Sequence, residues 1–127
     1  MKLATCLVLF LTAILSSCSS TSGLTATVTQ PVHPVLIRND HNVVLQVSID
    51  SKQTSATALE SLEFSLAGTD SLGDLETLEV FSAGPKPEFS PATPFGQPAA
   101  PAAKVTITGS RPLQPGPNVF YLSCRLK

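Results

Sequence analysis

The sequence predicts an all-β domain, an antiparallel β-sandwich of jelly-roll or immunoglobulin-like type with about six or seven strands. A cleaved signal peptide stands in front of it. Three observations carry this reading. Apolar residues recur at every second position in five separate runs, which is the period of a strand with one buried face. Clusters of Asn, Asp, Gly and Pro separate the runs. No stretch has apolar residues at the three- and four-residue spacing of a helix.

The chain has 127 residues. Met1 and Lys2 lead into an apolar run over 3–15 that ends in Ser16-Ser17-Cys18-Ser19-Ser20. A membrane span needs about 20 apolar residues, so this run reads as a secretory signal peptide. Leu15-Ser16-Ser17-Cys18 resembles a bacterial lipobox, which makes 1–17 a lipoprotein-type signal and Cys18 the lipidated first residue of the mature chain. The alternative is ordinary cleavage after a small residue, giving a secreted protein. The expected location is therefore exported, with a membrane anchor at the periplasmic or cell surface. Residues 18–29 are rich in Ser and Thr and read as a tether, with the domain over 30–127.

Within the domain, Val43, Leu45, Val47 and Ile49 alternate with polar or solvent-side partners. The same holds for Leu62, Phe64 and Leu66, for Leu78 and Val80, for Val105 and Ile107, and for Phe120, Leu122, Cys124 and Leu126. Two facing sheets require this pattern, and a one-residue slip would expose the whole core face. Turns are expected at Asn39-Asp40-His41-Asn42, at Asp50-Ser51-Lys52, across 68–74 and across 112–118. Residues 83–103 break the rhythm with six prolines. Proline cannot donate to a sheet ladder, so this segment reads as a long surface loop. Its Phe89 and Phe95, with Phe81 and Tyr121, are the aromatics open to a ligand or partner surface. The competing reading of Phe89 and Phe95, which is favoured, makes them anchors that pin the loop to the sandwich.

Composition excludes several functions. The formal charge is −1, from eight basic and nine acidic side chains, with no basic run, so nucleic acid is not an expected partner. Three cysteines fall at Cys6, Cys18 and Cys124. Loss of the signal and lipidation of Cys18 leave Cys124 without a disulfide partner. His33 and His41 stand alone, so no zinc spacing exists. Asp70, Asp74 and Glu76 read as turn and strand-surface acids in preference to a calcium loop. Cys124 lies on an apolar strand face and reads as a buried thiol, not as a nucleophile beside His33 or His41. No metal or cofactor is expected.

The order of segments is similar to a known family. Leu59-Glu60-Ser61-Leu62-Glu63-Phe64-Ser65 is followed by Gly68-Thr69, then by the strand around Leu78 and Val80, then by Phe95-Gly96. The chain closes with Leu113-Gln114-Pro115-Gly116-Pro117-Asn118-Val119-Phe120-Tyr121-Leu122. Over about residues 31–127 this resembles the N-terminal domain associated with BNR-repeat neuraminidases (sialidases). The family's closing aromatic pair is commonly Phe-Trp, and here it is Phe120-Tyr121. The resemblance implies a non-catalytic accessory sandwich ahead of a sialidase propeller, with that catalytic domain as partner, in cis or docked, and sialylated glycans as the enzyme's substrate. Sialidases clamp a carboxylate with three arginines and use a Tyr nucleophile, an arrangement suited to the guanidinium fork. Arg38, Arg111, Arg125 and Tyr121 supply the count, but none lies in a catalytic motif of that family. No catalytic residue is therefore expected. The alternative reading is a stand-alone surface lipoprotein whose sandwich binds glycans or mediates adhesion. Arg125-Leu126-Lys127 still follows strand alternation, so the sequence is expected to be a piece of a longer one.

Overall fold

The structure, a computed structural model, describes residues 23–52 and 57–127. The segment read as a signal peptide, and Cys18, lie outside the described residues. Among the described residues seven strands follow one another: β1 (Leu24–Thr29), β2 (Asn42–Ser51), β3 (Thr57–Ser65), β4 (Leu75–Gly84), β5 (Pro94–Ala99), β6 (Lys104–Leu113) and β7 (Gly116–Leu126), with one 3₁₀ turn at Leu72–Asp74 before β4. Five form one sheet in the order β1-β2-β7-β4-β5, and β3 and β6 pair as a second. Every pairing is antiparallel.

The alternation read from the sequence fills the space between the sheets. Val47, Ile49, Leu78, Val80, Phe120 and Leu122 from the larger sheet meet Leu59, Leu62, Phe64, Val105 and Ile107 from the smaller one, all at 4% exposure or less. β7 is the central strand. It pairs with β2 on one side and β4 on the other, and Asn118 through Cys124 is buried without a break. Its outward residues Val119, Tyr121 and Ser123 are therefore covered too, although alternation alone marks them as a solvent face.

Two buried asparagines close the β2–β7 ladder at its two ends. Asn118 accepts a bond from the Gln114 amide at 2.8 Å, and its own amide nitrogen donates to the carbonyls of Ile49, Gln114 and Gly116 at 3.1, 2.9 and 3.0 Å. One side chain thus shapes the β6–β7 turn and ties it to β2. Asn42 does the same at the far end. It accepts from the Leu36 amide at 2.9 Å and donates to the carbonyls of Leu36, Asn39 and Cys124 at 3.0, 3.2 and 3.3 Å. Burial of an amide is tolerated only with its donors and acceptors satisfied, and both are.

Two expectations are corrected. Residues 24–29, read as the end of the tether, form β1 along β2, with Val28 opposite Val47 and Ala26 opposite Ile49. Their alternation is muted because only Leu24 and Val28 pack against the core, while Ala26 between them and the threonines are exposed. Within the proline-rich segment, residues 94–99 are not a loop but β5. Its prolines are admissible because β5 is an edge strand with one free side. Phe95 inserts into the core at 3% exposure and meets Phe120 edge-to-face at 5.7 Å. Next to it, Gly96 has φ +72, and a Cβ there would stand 2.2 Å from the Thr108 carbonyl oxygen. Gly109 faces it, where a Cβ would lie 2.9 Å from the Gly96 nitrogen. The pair of glycines lets β5 of the large sheet touch β6 of the small one.

Replacing Gly96 by Ala adds both left-handed backbone strain and a backbone collision, so Gly96→Ala is expected to lower unfolding stability by at least about 2 kcal/mol in urea denaturation. Asn118→Ala strands the Gln114 amide and three carbonyls and is expected to cost about 2 kcal/mol by the same measurement.

Candidate functional site

The aromatics outside the core converge on the outer face of the large sheet. Phe81 on β4 and Tyr121 on β7 are cross-strand partners. Phe89, from the segment after β4, lies over them, with ring centroids 5.6 Å from Phe81 and 5.6 Å from Tyr121 in edge-to-face geometry. His41 completes the cluster at 5.1 Å from Phe81 and 6.2 Å from Phe89. Each edge-to-face contact adds about 0.5–1.5 kcal/mol beyond burial. The loop is therefore held down by Phe89, and it covers Tyr121 and Phe81, which are only 5% and 4% exposed. Of the four aromatics singled out in the sequence, Phe95 belongs to the core, and only half-buried Phe89 presents appreciable ring surface.

Sequence alone assigned His41 no aromatic partner: it read as a turn residue, and as a ligand or base only to be set aside. Its place in the cluster follows from Asn42, whose buried side chain fixes the neighbouring backbone. The His41 Nδ1 lies 3.3 Å from Glu79 Oε2. That contact is not aligned as a hydrogen bond, and Nδ1 is otherwise shielded. Glu79 also stands opposite Ser123 in the ladder. The trio has the residue types of a nucleophile–base–acid set, but Ser123 is 1% exposed, so no substrate reaches its hydroxyl. Cys124 points to the core side of the same strand, away from His41, and burial raises its thiol pKa above the ordinary value. That is the setting of an unreactive thiol.

The three arginines do not converge. Arg125 sits 3.1 Å from Glu76 and 3.6 Å from Asp40 at one pole of the sandwich. Arg38 occupies a turn at that pole with φ 74. Arg111 is on β6 in the opposite sheet, beside a cleft of about 180 Å³ that Ser82, Gly84, Gln114, Asn118 and Phe120 also line. Tyr121 has its pKa raised, first by burial and then by the charge of Glu88. A nucleophilic phenol needs the opposite shift. Among the described residues, no three His, Cys, Asp or Glu side chains are grouped to hold a metal.

The Tyr121 shift has a sign that can be tested. The folded state holds the phenol proton more tightly than the unfolded chain does. Its stabilising contribution is thus complete below the unfolded pKa, about 10, and is lost as pH rises through the folded value. Tyr121→Phe is expected to make stability less sensitive to pH as it rises above about 10, measured by thermal unfolding in mildly to strongly alkaline buffer.

No curated protein matches the chain in sequence. Residues 24–127 match the family model described as the N-terminal domain of BNR-repeat neuraminidase. The matched region begins at the first residue of β1 and contains every strand. On that match, the chain belongs to the family of the N-terminal domain of BNR-repeat neuraminidases.

Proposed function

We propose that this chain is the non-catalytic accessory sandwich of an exported sialidase. It works beside a catalytic propeller that removes sialic acid from glycans, and lipidated Cys18 anchors it to a membrane. The observation that carries the reading is the family match over residues 24–127, which takes in the whole described fold. The geometry supports it in a second way. The side chains able to do acid–base or nucleophilic work are buried, paired or scattered between poles, while the fold itself is closed by asparagine clamps and a glycine contact. Such a body is suited to hold position for a partner domain. Fold alone does not assign the role, since sandwiches serve many functions. A stand-alone glycan binder would stack sugars on exposed aromatic faces, and among the described residues only half-buried Phe89 has ring surface to give.

Intact mass of the native protein from the membrane fraction of its own host tests this directly. The expected species is acylated, far heavier than 13.3 kDa, and hydrolyses a fluorogenic sialoside, whereas the 127-residue chain alone does not. Cys18→Ser is expected to move it to the soluble fraction. An active 127-residue chain, or a native species of only that size, would overturn the accessory reading.

A further inference from the structure

The turn Leu36–Asn39 presents an apolar tip to solvent. Leu36 is 56% and Ile37 69% exposed, and nearby Val32 is fully exposed. Turn tips usually carry Gly, Asn, Asp or Ser. This one is also held unusually firmly. The Asn39 amide bonds the Leu36 carbonyl at 3.4 Å, and Asn42 grips Leu36 through both its amide and its carbonyl. Asn39 Oδ1 accepts from the His41 amide at 3.3 Å. Arg38 is the one described non-glycine residue with positive φ. A strained residue persists where the surroundings over-determine it, and such strain gathers at functional contacts. Asp40 and Arg125 supply a charged rim.

Position tells what covers the tip. Asn42 pairs with Cys124, so the turn stands at the pole where β7 ends. The family's domain is N-terminal, so on the accessory reading the catalytic domain follows β7 and leaves the sandwich at that pole. The chain enters the sandwich at the other pole. Gly23 accepts a bond from Lys52 at 2.8 Å, beside Ser51 and Gly116. The ten residues of β2 separate the two poles by about 30 Å.

We infer that Leu36 and Ile37, with Val32, form the docking surface for the catalytic domain that follows in BNR-repeat neuraminidases. This rests on the accessory reading above. The surface is a preformed apolar knob with a charged rim, the arrangement of an interdomain contact.

The test uses Ile37→Cys in the protein expressed from its complete native gene, labelled with a benzophenone maleimide. Cys124 is buried and does not compete. Photolysis followed by peptide mapping is expected to join position 37 to propeller peptides, at least ten-fold more often than the same label at Thr27→Cys on β1. Crosslinks only to lipid, only to a second copy, or only within the sandwich overturn the inference while leaving the accessory reading in place. A native protein whose mapped peptides include no propeller removes the accessory reading, and this inference with it.

Discussion

The burial of β7 on both of its faces is the constraint on which the rest of the structure depends. A strand with two hydrogen-bonded neighbours and two covered faces cannot shift its register without breaking both ladders and both packing layers. Its inner face meets the small sheet through Phe120, Leu122 and Cys124. Its outer face is roofed by Phe89 over Tyr121. The ends of a doubly buried strand are the hard part, because turns leave amides and carbonyls without ladder partners. Asn42 and Asn118 solve this at opposite ends with the same chemistry: an amide side chain imitates a backbone unit, and gives the turn what the sheet no longer supplies. The Gly-x-Asn-x-Phe ending of the sequence thus has a mechanical meaning. Gly116 permits the left-handed turn, Asn118 satisfies it, and Phe120 enters the core.

The second constraint is the closure between sheets. A two-stranded sheet is marginal by itself and needs a partner layer. β3 and β6 find that layer through the hydrophobic core and, at one side, through the Gly96–Gly109 contact beside Phe95. Here a proline-rich segment acts as a strap. Its edge strand belongs to the large sheet, while its glycine rests on the small one.

Much of this was legible in the sequence, and the failures have physical causes. Strong alternation such as Val43 to Ile49 or Val105 to Ile107 located β2 and β6, because β-branched residues on one face leave little ambiguity. β1 escaped because Ala26 and the threonines lie near the boundary between apolar and polar, and only Leu24 and Val28 of the strand are partly buried, so it carries no sharp pattern. β5 escaped because Pro94 and Pro98 argue against a strand unless it is known to be an edge, which is a fact of topology. The aromatic cluster was half legible. Phe89 reads as an anchor, and it is one. Phe95 reads the same way, but it anchors to the core through Phe120 and not to the outer face. Tyr121 reads as exposed because alternation reports one sheet face at a time, and it cannot see a loop folding back over the other.

These constraints together bear on the accessory role proposed above. The long axis runs along β2 and β7, and both ends of that axis are rigid, since each is capped by a buried amide. Chain entry at Gly23 lies at one end, and the Leu36–Asn39 turn and the end of β7 lie at the other. A force or an orientation imposed at one pole is therefore transmitted to the other through hydrogen-bonded strands and not through a flexible linker. Sequence freedom on the remaining surface is the corollary. Positions such as Thr25, Thr27, Thr106 and Thr108 face solvent and carry no part of that axis, so the fold leaves them free to vary while it constrains Asn42, Gly96 and Asn118.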